Sequence, residues 1–423
     1  MKKVFILILL APLLVCLSCG NMRKAEDYVP PEDLCADIQI IQRKISQSLM
    51  RDLYSPEPFE QIKKSVMKGK MGRLDCVFKI KEILCSYHIS HLNLVPNDDD
   101  PTSFICMPFG LLRFGDEYRV IYATEPYLGF LDRKVVELGG FPIEEALEKY
   151  NAFSSYETEC GAKYFLEGYL SLPRLKHAGL VESNDEISIT LETPDGDRMT
   201  QTYPFVDYRD DPLFYNVWGD GYPYDIYFSY ENYSLKKNPA KRMIYIPYTS
   251  CYEISEYTMA DLFSDLLGEL RTGLYDTVVF DVRRNSGGDM YLRRKILYEF
   301  RCCKDELEKY NIAIVAGGRT YSAACWFMND LLQYFPHAKI FGEETGQAVF
   351  NYTNVIPLEL DNLKCDFSCP RAKDDIPVLR ERCEDIHRGV MPDFEVHEDF
   401  REFQKGNDAI YDAIYNFFET YKG

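Results

Sequence analysis

The stretch GGRTYSAACWF, Gly317 to Phe327, places a serine between an apolar run, IAIVA (Ile312–Ala316), and a segment of helical apolar spacing, CWFMNDLLQYF. Ser and Thr are common helix N-caps and Gly suits a turn, so Ser322 and Thr320 read first as a cap. The same position suits a nucleophile, because backbone N–H groups at a helix start can stabilise an oxyanion. A second polar stretch follows another core strand in TVVFDVRRNSGGDM, Thr277–Met290, where Gly287 and Gly288 suit a turn. His88 and His91 form an H-x-x-H pair in IKEILCSYHISHLNLVP, Ile80–Pro96. Metal binding by that pair would need a third element of the H-E-x-x-H kind, and none follows.

These residues need elements to hold them. Residues 33–95 read as helical, since DLCADIQIIQRKISQSLM and LDCVFKIKEILCSY carry apolar residues at three- and four-residue spacing. From about 103 to 200 the texture changes to short strands and turns. YRVIYA, KVVEL and EISITLETPDG are β-like, and GGFPIEEALEKY interrupts them with a turn and a helix. From about residue 240 strands alternate with helices: MIYIPY, YTMADLFSDLLGELRTG, DTVVFDV, MYLRRKILYEF, IAIVA, CWFMNDLLQYF, KIFGE. That alternation predicts a layered βαβ sheet. In such a fold a serine opening a helix lies at the carboxyl edge of the strands, where α/β sites form.

Composition bounds the partners. The chain has 423 residues, 46% hydrophobic and 27% charged, which suits two or three globular domains. A net charge of −19 argues against nucleic acid, which demands a basic surface. The start, MKKVFILILLAPLLVCLSCGN, has a positive Lys2-Lys3 region and an apolar core too short to span a bilayer. Its Ser18-Cys19-Gly20 end resembles a bacterial lipobox, with Cys19 the lipidated residue, although Cys16 stands where Leu is usual. The expectation is an exported, lipid-anchored protein of the cell envelope, with residues 1–19 a signal peptide. Fourteen cysteines, less Cys16 and Cys19, leave 12, some of which could pair; Cys365 with Cys369 and Cys302 with Cys303 are candidates.

Taken together, four motifs resemble those of S41-type serine peptidases, the class of the C-terminal processing proteases and the tricorn core. They are D-x-R-x-N-x-G-G at Asp281–Gly288, T-x-S-A at Thr320–Ala323, GEETG at Gly342–Gly346 and GVMPD at Gly389–Asp393. The resemblance covers roughly residues 240 to 400, and FLDRKVVELGGFPIEEAL more weakly resembles the end of a PDZ-like module. It implies an α/β fold with a ClpP/crotonase-like layered βαβ catalytic domain (201–423). Before it would come a helical segment (30–102) contributing the catalytic His and a PDZ-like β-rich module (103–200). Ser322 would be the nucleophile, with the N–H of Ala323 and one from Gly287 or Gly288 forming the oxyanion hole.

A Ser hydroxyl is a weak nucleophile without a base. The C-terminal processing branch uses a Lys after the GE-x-T segment, and none occurs between Lys339 and Lys364, where the chain reads Thr345-Gly346-Gln347. The tricorn-like branch uses a His on an N-terminal segment. That likeness places His91 on the catalytic step with Ser90 beside it, and His88 if the register shifts. The family's acidic fourth member maps to Ile386, which leaves the neighbouring Glu384 and Asp385 as candidates. The implied activity is an endopeptidase acting on peptides or unfolded proteins through an acyl-enzyme, without metal or organic cofactor. Cleavage would rise through roughly pH 6 to 7.5, since an unperturbed imidazole titrates near 6.5. Ile89 and Ile386, where relatives often carry acids, leave a second reading: a non-catalytic peptide-binding lipoprotein on the same scaffold.

Overall fold

The computed structural model describes residues 28–97, 100, 102–181, 185–207, 209, 214–216 and 231–420. The leader and Cys19 lie outside the described residues. The fold is mixed α/β, with a central sheet, a β-rich region and an N-terminal helical layer.

The central sheet forms from the continuous apolar runs of the second half. Met243–Pro247, Thr277–Asp281, Asn311–Ala316, Lys339–Gly342 and Phe394–Glu395 lie side by side in parallel, and Lys236–Asn238 adds an antiparallel edge. Such runs suit parallel strands covered on both faces. Alternate residues divide between two cores. Ile244, Ile246, Val278, Phe280, Ile312 and Ile314 face the helices Met259–Leu270, Met290–Leu307 and Ala323–Tyr334. Tyr245, Val279, Ala313 and Val315 face the last helix, Ala409–Thr420. Local signals fix the helix starts: Thr258 and Asp261 form a capping box, and Asp289 accepts from the Tyr291 N–H.

In the β-rich region, Glu117–Thr124, Lys134–Leu138, Glu186–Glu192 and Arg198–Pro204 form consecutive antiparallel pairs. Phe109–Phe114 also pairs with Glu117–Thr124. Its strands continue past residue 200, because Phe214–Asn216 pairs back onto Glu117–Thr124 and Val206–Asp207 pairs with Ile105–Cys106.

The N-terminal layer comprises the helices Pro31–Ser46, Glu57–Met67 and Arg73–Cys85. The helical reading of 33–95 fails at its end: Asn93–Pro96 is a strand, antiparallel to Cys365–Ser368. A long-range partner overrides local spacing there. The layer is locked to the catalytic half by buried polar groups. Asp37 accepts from the Asn362 and Leu363 N–H groups at 3.0 and 2.9 Å. Arg73 forks onto Asp100 and donates to the Leu363 carbonyl. All cysteines among the described residues are free thiols, so neither Cys365 with Cys369 nor Cys302 with Cys303 is bonded.

The Arg73–Asp100 pair is 2% exposed at both side chains. Arg73→Met strands a buried carboxylate, which costs about 3–5 kcal/mol. Urea denaturation should show that loss, and a loss under about 1 kcal/mol would mean that water or another cation takes over Asp100.

Candidate active site

Ser322 follows a tight turn built by its neighbours. Thr320, fully buried, donates its hydroxyl to the Val282 carbonyl and accepts from the Gly317 N–H. The Tyr321 N–H donates to the Asn285 carbonyl. Glycine is required here: a Cβ on Gly318 would lie 2.4 Å from the Tyr164 ring and 2.6 Å from the Cys160 carbonyl oxygen. Thr320 is therefore a staple joining the two motif loops. Ser322 stands at the N-cap position with φ 52° and ψ −119°, and its side chain makes no capping bond. A non-glycine residue held there stores roughly 1–3 kcal/mol of strain. Its N–H donates to Gln347 Oε1 at 2.5 Å. The hydroxyl has no hydrogen-bond partner among the described residues, so it is free for chemistry rather than spent on the helix.

The loop carrying Gly287 and Gly288 packs directly on this serine. A Cβ on Gly287 (φ 98°) would sit 2.7 Å from Ser322 Cβ. Asn285 Oδ1 accepts the Gly287 N–H at 2.8 Å, while the Asn285 amide donates to the Tyr248 carbonyl. The Gly287 N–H is thus engaged. Around it, Cys251 N–H donates to the Gly287 carbonyl and Asp289 N–H to the Cys251 carbonyl. The N–H groups of Gly288 and Ala323 make no hydrogen bond among the described residues. Of the two glycines, Gly288 is the one able to join Ala323 as an oxyanion donor. The Asp and Arg of the same motif are structural: Arg283 is buried and forks onto Asp281 and Asp408.

On the N-terminal side, Ser90 donates its hydroxyl to Glu157 Oε1 at 2.6 Å, and its N–H donates to the same oxygen at 3.1 Å. His91 Nδ1 lies 3.4 Å from Ser90 Oγ. With the Ser90 proton committed to Glu157, that oxygen can only accept from Nδ1–H, the tautomer that leaves Nε2 unprotonated. Burial pushes the His91 pKa below its ordinary value, against the opposing pull of the Asp374 charge and the Tyr352 backbone. His88 points elsewhere: it is exposed, has φ 52° and packs its ring edge-on to Tyr156.

Glu157 is the carboxylate the sequence reading missed. Burial raises its pKa, while donors from Ser90 and Ala348 favour the ionised form. Glu384 and Asp385 are exposed and make no hydrogen bond to Ser90 or His91; Asp385 accepts from the His387 N–H. The loop after the helix Pro377–Glu381 leaves their side chains exposed, and Ile386 directly after them packs on the central core. Glu157 lies in SSYETEC, with no motif around it and 67 residues from Ser90, so only the folded chain reveals it.

The Ser322 and His91 sides meet at Gln347–Ala348. Gln347 holds the Ser322 N–H, and the Ala348 N–H donates to Glu157 Oε2 at 3.0 Å. Asp374, which faces His91, also accepts from Trp326 Nε1 one turn into the Ser322 helix. No direct hydrogen bond joins Ser322 Oγ to His91 in this state, and such bonds often tighten only when substrate binds. No lysine lies between Lys339 and Lys364, and Gln347 is the side chain of this stretch that reaches Ser322.

No protein-family model matches the chain, and no curated protein matches it. Among solved structures, mature CPAF complexed with lactacystin aligns with TM-score 0.59 at 10% identity, over 92% of this chain and 98% of that one. Mature CPAF alone aligns with TM-score 0.57 at 11% identity, over 91% and 96%. The photosystem II D1 C-terminal processing protease aligns with TM-score 0.40 at 11% identity, over 86% and 93%. These structural neighbours are S41-family serine peptidases, which are hydrolases. At this identity the likeness to CPAF establishes a shared fold.

Two outcomes follow from the geometry. With its pKa lowered, His91 is neutral throughout the neutral range, so the rising limb of kcat/KM against pH should lie below 6.5 and the profile be flat above it. A limb centred above pH 7 would point to another base. Glu157→Gln should lower kcat by about 100-fold or more at unchanged circular dichroism, because it releases Ser90 and the imidazole orientation with it. Unchanged kcat would make Glu157 a structural acid only.

Proposed function

We propose that the chain is a serine endopeptidase that cleaves peptides or unfolded proteins through an acyl-enzyme. The observation that carries this reading is Ser322: a strained, uncapped serine at a helix start beside two unengaged N–H groups. Ser322 Oγ attacks the scissile carbonyl carbon as its proton passes to His91 Nε2. Gly288 and Ala323 N–H groups take the oxyanion, each donor lowering the barrier by about 3–4 kcal/mol. The C–N bond breaks as His91 returns the proton to the leaving amine. Water then attacks the ester, with His91 again as base, and frees Ser322. Ser90 and Glu157 hold the imidazole. The lack of a lysine between Lys339 and Lys364 supports a histidine base, and the Gln347 amide that reaches Ser322 cannot accept the serine proton.

The layered catalytic sheet is read as ClpP/crotonase-like and the β-rich region as a PDZ-like substrate-placing module. With a leader ending at Cys19, the enzyme would sit in the cell envelope on a lipid anchor. The case for a non-catalytic binding protein loses ground, because Ile89 fills the N-terminal core and Glu157 offers the carboxylate that Ile386 lacks.

A fluorophosphonate probe should label the wild type and not Ser322→Ala. His91→Ala should cut casein cleavage by about 1,000-fold or more with folding intact, and His88→Ala should change it less than about threefold. A folded wild type that is neither labelled nor active leaves the peptide-binding reading in its place.

A further inference from the structure

A cleft of about 870 Å³ opens on the far side of the ribbon that faces His91. The ribbon is the antiparallel pair Phe350–Thr353 and Ala372–Asp375. Asp374 and the Tyr352 backbone lie at the His91 side, while Arg371 and Lys373 line the cleft, with the Tyr352 ring on the Lys373 face. Across it stands the end of the helix Pro31–Ser46 and the following turn, which bring Lys44, Arg51 and Asp52. Four cations and a single acid therefore line this cleft in a chain of net charge −19.

The nearby acids are accounted for. Glu359 and Asp366 are paired across neighbouring strands, and strand alternation turns them away from Leu358 and Phe367, which line the cleft. Asp375 is held by Arg380 at 2.7 Å, and Asp374 takes the Trp326 N–H. Asp52 reaches only Arg51, at 3.6 Å and mostly in solvent. Lys44 and Arg371 form no ion pair with any described residue, and Lys373 meets no carboxylate but sits over the Tyr352 ring at 5.1 Å. The cleft also offers apolar contact from exposed Leu49 and Ile356 at its rim and from half-buried Leu358, which packs on the core that holds Phe367.

We propose that this cleft is an exosite for an acidic, apolar-interleaved segment of a protein substrate. This rests on the peptidase reading for its purpose but not for the binding itself. Unpaired cations around a concave surface attract carboxylates and raise their local concentration. An extended chain presents side chains alternately to both sides, so acidic residues could meet the cations while apolar ones meet Leu49, Ile356 and Leu358. A segment seated there lies across the ribbon from Asp374, which acts on His91 and accepts from Trp326 in the Ser322 helix. The concavity favours a peptide over a membrane surface, which would need the cations on a flat or protruding face.

The test uses the full chain with Ser322→Ala and a fluorescein-labelled peptide of about twelve residues alternating Glu with Val and Leu. Anisotropy should show binding that weakens about tenfold or more from low to high salt, as expected for exposed charges. The same peptide with Lys for Glu should not bind. Lys44→Glu/Arg371→Glu, both exposed positions outside the catalytic machinery, should weaken the Glu peptide at least about tenfold. In the otherwise wild-type enzyme that pair of substitutions should raise KM for an acidic-tract protein with kcat unchanged, and leave a short neutral peptide unaffected. Equal binding of Glu and Lys peptides, indifference to the double substitution, or binding to phosphatidylglycerol vesicles in place of the peptide would overturn the proposal. Absent fluorophosphonate labelling with intact peptide binding would instead fail the peptidase reading alone.

Discussion

Everything in the site hangs on one buried segment, Gly342 to Ala348. Its first residue can only be glycine: at φ 109°, a Cβ would lie 2.2 Å from the Ala316 carbonyl oxygen. Glu343 then takes the Arg113 fork from the β-rich region, the Tyr164 hydroxyl and His397. Glu344 and Thr345 stitch to Gly389 and Val390, and the Thr345 carbonyl accepts the Thr158 hydroxyl. Gln347 reaches Ser322, and Ala348 reaches Glu157. Three distant parts of the chain are thus registered against seven residues. Gly346 closes the arrangement, since a Cβ there would meet the Gly318 carbonyl oxygen at 2.0 Å.

That registration has an energetic logic. The Arg113–Glu343 pair is almost wholly desolvated, and such pairs add little net stability against apolar substitutes. Their value lies in penalising misassembly, because displacing either partner leaves a buried charge. The same argument covers Ser322. Its backbone strain of roughly 1–3 kcal/mol survives because the Gln347 bond and the bare Gly287 over-determine the turn. A helix start with a conventional cap would be more stable and would spend the hydroxyl on a backbone N–H.

The sequence made some of this legible. A helix such as Met259–Leu270 follows from local periodicity, because the residues it buries, Met259, Leu262, Phe263, Leu266 and Leu270, fall at three- and four-residue spacing. The motif order drew Ser322, the glycine loop and GEETG into one neighbourhood, which contacts in the fold bear out through Asn285, Thr320 and Gln347. What failed were features defined by distant partners. Asn93–Pro96 continues a helical texture until Cys365–Ser368 recruits it as a strand. Glu157 carries no local signal, and a linear motif pointed instead to Glu384 and Asp385, which the loop turns to solvent. A hydrogen-bond partner is a property of three dimensions; an isolated acid in a polar stretch is indistinguishable from a solvated one.

No lysine lies between Lys339 and Lys364, and in the mechanism proposed this changes where the chemistry must be assembled. A lysine there would place nucleophile and base on neighbouring elements of one sheet. In the mechanism proposed, the proton acceptor comes from Ser90–His91, on a segment whose position depends on the N-terminal helices. Those helices are held by Asp37 on the Asn362 and Leu363 amides and by Arg73 on the Leu363 carbonyl. The same 358–368 strands then pair with Asn93–Pro96, immediately after His91. The base is therefore positioned by a clamp at one end and by Glu157 at the other, neither of which belongs to the central sheet. In the mechanism proposed, catalytic competence is coupled to the docking of the N-terminal layer, because undocking would leave the buried polar groups of the clamp unpaired.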